Sequence, residues 1–125
     1  MVQYERLRTV DDIPPGPEHY KRIKVRARAL MVARNGRRWT KYAYYGSKSV
    51  AVAQAYKLRQ RREFAAIGRL ETAQRLDGQS RRWVVYARFA DLAISPQEMA
   101  DQVAAVGGDA VLDAAEAAGP MEPHL

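Results

Sequence analysis

From Lys21 to Arg34 apolar and polar side chains alternate, with Ile23, Val25, Ala27, Ala29 and Met31 on one parity and Lys24, Arg26, Arg28, Leu30 and Val32 on the other. A period of two predicts a strand, with a helix as its competitor because Ala, Leu, Met, Arg and Lys favour helix. Asn35-Gly36 tips the choice to the strand, since that pair can take φ > 0 at both centres of a hairpin turn. In that register Met31 faces Thr40, Ala29 faces Tyr42 and Ala27 faces Tyr44 on an apolar face. Val32/Trp39, Leu30/Lys41, Arg28/Ala43 and Arg26/Tyr45 form a second face of cations and aromatics.

"GSKS" then offers Ser47 or Ser49 as the cap of a helix from about Val50 to Arg62, with Ala51, Val52, Ala55, Tyr56 and Leu58 as its buried stripe. A second hairpin is predicted around Asp77-Gly78, pairing Thr72 with Trp83, Leu70 with Val85, Gly68 with Ala87 and Ala66 with Phe89. Its opposite face sets Arg69 beside Tyr86 and Ile67 beside Arg88, and loop residues at Gln79-Ser80 would slide the register without changing parity. The Gly68/Ala87 pair predicts a trough for a closely packed helix.

Ser95-Pro-Gln-Glu98 has the form of a capped helix start, with Met99, Val103 and Val106 inward and a stop at Gly107-Gly108. A short helix from about Ala110 to Ala118 precedes Gly119-Pro120, and "MEPHL" is expected to fray. Before Lys21, alternation at Val2, Tyr4 and Arg6 predicts an edge strand, followed by the proline-rich loop "DDIPPGPEHY". The expected fold class is therefore α+β: a small antiparallel sheet of two β-hairpins flanking one helix, ββαββ, followed by one or two C-terminal helices. Three segments follow: 1–19, an N-terminal strand and loop; 20–92, a basic ββαββ domain; 93–125, an acidic, Ala-rich helical segment.

Charge sharpens this division. Residues 1–90 carry all 21 Lys and Arg and half of the 14 acids, while 91–125 carry the other half and no Lys or Arg. Tyr20 to Arg62 holds fourteen Lys or Arg and not one acid, whereas a merely solvated surface intersperses both signs. Such a field attracts a polyanion, and nucleic acid or an acidic protein surface would serve. The acidic segment has three readings: a competitor docked on the basic face, a dimer interface, or a cap on the core.

Catalytic chemistry finds little support. There is no cysteine, and the two histidines, His19 and His124, lie beside a proline-rich loop and in the last two residues. Asp11-Asp12 are adjacent in a loop, the other acids suit solvated helix faces, and no phosphate-binding glycine loop is present. No catalytic residue, metal site or cofactor is expected. Lys48 between two serines at a helix start is a candidate phosphate contact. No apolar run reaches the ~20 residues of a membrane span, and no export signal is expected at the N-terminus.

"GRRWTKYAYYGSKSVAVAQAYKLRQ" resembles in layout two sheet-plus-helix DNA readers, plant ethylene-response-factor domains and the arm-binding domains of tyrosine integrases, which lay three strands in the major groove. The second hairpin departs from that layout. The order "W…YGSKSVAVAQAYKLRQ…F…ETAQRLDG…RWVVYARFADL", Trp39 to Leu92, resembles small, mostly uncharacterised proteins of actinobacterial phages and integrated elements. It implies a mobile-element context, with a bacterial or phage-infected cytoplasm as the location, and supplies no activity.

Together these features predict a non-enzymatic nucleic-acid-binding protein, DNA before RNA, acting through Arg26, Arg28, Arg37, Arg38, Trp39, Lys41, Tyr45 and Lys48, with Arg69, Tyr86 and Arg88 as a secondary basic face. The alternative is a phage-type inhibitor or adaptor that binds an acidic surface of a host protein. Exposed hairpin edges make a homodimer possible in either case.

Overall fold

A computed structural model describes residues 17–122, with side chains from Lys24 onward. Eight elements follow one another: α1 (Pro17–Arg34), β1 (Thr40–Tyr45), α2 (Lys48–Gln60), α3 (Arg62–Ala65), β2 (Gly68–Leu76), β3 (Trp83–Leu92), α4 (Pro96–Ala105) and α5 (Asp109–Ala117). The fold is α+β, with one three-stranded antiparallel sheet in the order β1-β3-β2. It replaces the expected ββαββ order. The expected strand at Val2 to Arg6, the Asp11-Asp12 pair and His124 lie outside the described residues.

The segment expected to be the first strand is the central helix. Ala27 and Ala29 through Ala33 of α1 are all buried, most of them in the main core, so apolar residues surround this part of the helix instead of forming one stripe. A helix enclosed in this way loses the 3.6-residue signature, and the arginines at 26 and 28 leave a false alternation. None of the cross-strand pairs expected from Arg26 to Met31 forms. Asn35-Gly36 ends the helix instead of turning a hairpin. The Asn35 N–H donates to Met31 O at 3.1 Å, Gly36 N–H donates to Ala33 O at 3.1 Å, and only Gly36 takes a positive φ, 68°.

β1 is bent by a bulge between Lys41 and Ala43. Two consecutive residues, Tyr42 and Ala43, are therefore buried together, while Lys41 and Tyr44 fall on the opposite face. The parity that joined Tyr42 to Tyr44 in the core fails at this point. Tyr42 packs edge-on to Phe64, ring centroids 5.7 Å apart, and burial raises its phenol pKa against the lowering effect of Arg28.

Ser47 caps α2 by accepting from Val50 N–H at 3.3 Å, and the helix buries Ala51, Ala55 and Leu58. Val52 and Tyr56, expected in that stripe, are exposed. β2 and β3 form the second hairpin with its parity intact, but the register slides four positions, so that Thr72 faces Ala87 and Leu76 faces Trp83. The cause is a longer loop, Asp77 to Arg82, closed by Asp77 N–H to Arg82 O at 2.8 Å and containing Arg81 at φ 58°. Gly68 is not a trough for a helix. It faces Leu92 beside a register shift, where an added Cβ would lie 2.2 Å from Asp91 O. Ile67 does not oppose Arg88 but is buried in the core.

The capping box at Ser95 and Glu98 starts α4 as expected, and Gly107 and Gly108, both at positive φ, separate it from α5. Val106 and Leu112 join the core built by α1, and Arg34 reaches Asp113 at 2.8 Å and Glu116 at 3.1 Å. The chain then returns to the sheet. Met121 N–H donates to Tyr42 O at 2.8 Å and Met121 O accepts from Tyr44 N–H at 2.9 Å, which covers the outer edge of β1 where fraying was expected.

Candidate nucleic-acid interface

One face of the sheet is covered. Val85, Ala87 and Phe89 of β3 meet α1 and α2 through the two core clusters, with Leu70 opposite Phe89. Alternation sends Val84, Tyr86 and Arg88 to the other face, together with Lys41 and Tyr44 from β1 and Glu71, Ala73 and Arg75 from β2. None of the core clusters among the described residues extends across it.

Rows across the strands define this open face. Tyr44, Val84 and Arg75 make the first row, in which Val84 is fully buried between its neighbours, and Lys41, Tyr86 and Ala73 make the second. The third holds Arg88 and Glu71, with Trp39 beside them. Successive rows are about 7 Å apart, two residues of strand rise. Arg82 lies over the Tyr44 ring at 4.2 Å and Arg88 over the Trp39 ring at 4.2 Å. Each pair presents a planar cation and an aromatic surface together.

Carboxylates hold both arginines in place. Arg88 binds Glu71 at 3.2 Å and donates to Arg37 O at 3.3 Å; Arg82 binds Glu122 at 2.8 Å. Arg82 holds the Glu122 carboxyl below the usual carboxylate range, and Glu122 raises the guanidinium pKa in return. Lys41, Arg37, Arg38 and Arg75 are exposed. A groove of ≈ 300 Å³ beside Trp39 is lined by Arg38, Thr40, Lys41 and Pro120 and also by one acid, Glu116.

The candidate residues do not all come together. Trp39, Lys41, Tyr86 and Arg88 come together on the open face, with Arg37 and Arg38 at its rim in the loop before β1. Arg69 pairs with Asp91 at 3.0 Å at the start of β2. Arg28 is committed elsewhere: it donates to Tyr42 O at 2.9 Å and Gly119 O at 3.4 Å, covers the Tyr42 ring at 4.6 Å, and its Nε has no partner among the described residues. Arg26 lies away from the sheet, in a concavity with Arg62, Glu63 and Gln102. Tyr45 belongs to the covered face, packed with Ala51, Ala55 and Trp83, and burial raises its pKa. Lys48 sits over Trp83 at 5.7 Å on that same side.

Tyr44, Arg75 and Arg82 are members of the open face outside the expected set. The parity shared by Arg69, Glu71 and Arg75 pointed to Arg75. Tyr44 carried no such signal because the bulge reverses its direction, and Arg82 lies in the loop.

Among the described residues no three His, Cys, Asp or Glu side chains gather to hold a metal ion, and no helix is long and apolar enough to cross a membrane. Comparison with protein-family models, curated proteins and solved structures finds no match. The site is therefore defined by its geometry.

Proposed function

We propose that this is a non-enzymatic nucleic-acid-binding protein that takes an extended single strand, DNA before RNA, across the open face of the sheet. The observation that carries the reading is the set of stacking surfaces on that face, Trp39 with Arg88, Tyr44 with Arg82, and Tyr86 between them. Bases stack on aromatic side chains and guanidinium planes on such platforms, and cations beside them follow the phosphates. Lys41, Arg37, Arg38 and Arg75 supply those cations. The major-groove β-ribbon built on Arg26 and Arg28 has no counterpart, since both residues lie on α1. A mobile-element setting, taken from the resemblance over Trp39 to Leu92, belongs to the proposal and assigns no reaction.

Binding of labelled single-stranded DNA, duplex DNA and RNA at several salt concentrations tests this. Neutralising about four phosphates of a single strand predicts a log–log salt slope near −3. Absence of binding to all three ligands overturns the reading, and a protein partner retained after nuclease treatment would then favour the inhibitor alternative.

A further inference from the structure

The two edges of the sheet are unequal. Met121 covers the edge of β1, whereas β2 is a nine-residue edge strand with no proline, lysine or bulge of its own to discourage pairing. Ile67 O accepts from Ala93 N–H at 2.7 Å and Asp77 N–H donates to Arg82 O at 2.8 Å, so odd residues of β2 direct their backbone groups to β3. Leu70, Thr72, Gln74 and Leu76 therefore direct theirs outward.

We infer that β2 pairs antiparallel with β2 of a second copy of this chain about a two-fold axis at Ala73, joining two three-stranded sheets into one. About that axis Thr72 opposes Gln74 and Leu70 opposes Leu76, and these even-numbered residues are the ones with free backbone groups. Glu71 opposes Arg75 and Arg69 opposes Asp77, opposite charges in each case. An axis one residue earlier sets Arg69 against Arg75, and one residue later sets Glu71 against Asp77, like charges both times. Ala73 meets its own copy at a non-hydrogen-bonded position, where the strands approach most closely and a small side chain fits.

The helix beside this edge supplies the apolar component. Arg59 of α2 hydrogen-bonds Thr72 Oγ1, and Val52 and Tyr56 share the helix face of Arg59 at seven and three residues' spacing. Val52, Tyr56 and Leu76 are 45%, 58% and 56% exposed, large apolar surfaces that a symmetric contact would cover. The assembly aligns two open faces side by side, and it stands whether or not those faces bind nucleic acid.

Because the chain has no cysteine, Ala73→Cys gives a single thiol at the axis. Cα atoms about 4.5 Å apart at such a position suit a disulfide, so mild oxidation is expected to yield a covalent dimer. Leu76→Cys, whose two copies would lie about 20 Å apart along the strands, is expected to stay uncrosslinked. Sedimentation equilibrium of the native chain is expected to show a dimer at tens of micromolar. Gln74→Pro removes an outward N–H and gives a monomer with an unchanged circular-dichroism spectrum. Arg75→Glu weakens the dimer roughly tenfold by turning two symmetry-related pairs repulsive. A native chain that sediments as a monomer, or Ala73→Cys crosslinking no faster than Leu76→Cys, overturns the inference, whatever the folding of the proline variant.

Discussion

The two faces of the sheet are built from adjacent residues of the same strand and do opposite work. Val85, Ala87 and Phe89 of β3 are buried against helices, while Tyr86 and Arg88 between them lie half-exposed among aromatic and cationic neighbours. Burial on the first face accounts for stability, and the second is left free to hold stacked arginine–aromatic pairs. Architecture separates residues of one type: Arg26 and Arg28 lie on α1, while Arg88 lies on the open face of β3.

The largest effect that sharpens the contrast is on the covered side. Phe89→Ala removes a fully packed ring stacked on Phe64, 6.2 Å between centroids, and is expected to cost about 3–5 kcal/mol in chemical denaturation. Tyr86→Ala, the next residue group across the pleat, is expected to stay within about 1 kcal/mol of native stability. A Tyr86→Ala loss as large as that of Phe89→Ala would mean that both faces are core.

Arginine replacement separates structure from surface. Arg28→Ala withdraws donors from the carbonyls of Tyr42 and Gly119 and should destabilise by about 1–3 kcal/mol. Arg26→Ala, exposed on the same helix, should fall within about 0.5 kcal/mol of native. On the open face, Trp39→Ala should weaken single-strand binding by about 1–3 kcal/mol while leaving the melting temperature nearly unchanged. Equal losses for duplex and single strand would argue against stacking.

Local chemistry was legible in the chain, whereas chain-wide context was not. Ser47, Ser95 and Glu98 announce their helices because a cap is completed within four residues, and the parity of β3 survives a four-residue slip because the slip is even. The central helix was hidden because burial on several sides erases the period that marks a helix, leaving the arginines to set a misleading one. The bulge at Tyr42 was hidden too, since a strict period of two cannot show that two consecutive residues, Tyr42 and Ala43, both turn inward. The parity of β3 put Tyr86 and Arg88 on one face, whereas Trp39 and Lys41 share that face although the hairpin that suggested them does not form. Tyr45 and Tyr44 exchanged places across that bulge.

Two pH effects are smaller. Burial raises the pKa of Tyr42, so its contribution is fully present below the unfolded-state phenol pKa near 10 and is lost as pH rises toward the folded value. Melting temperature should therefore begin to fall above about pH 10, less so in Tyr42→Phe. Glu122 has the opposite sign: its lowered pKa means the contact with Arg82 is present above the unfolded carboxylate value and lost as pH falls through the folded one. Glu122→Gln should free Arg82 and tighten single-strand binding slightly, and an unchanged affinity would show that this carboxylate does not compete with ligand.

Fluorescence anisotropy of a labelled single-stranded oligonucleotide, titrated with the native chain, Tyr86→Ala and Arg26→Ala, tests the division of the two faces most directly. About tenfold weaker binding for Tyr86→Ala with native affinity for Arg26→Ala is the predicted result. Native affinity for Tyr86→Ala with a loss for Arg26→Ala would place the ligand on the helical side and contradict the account.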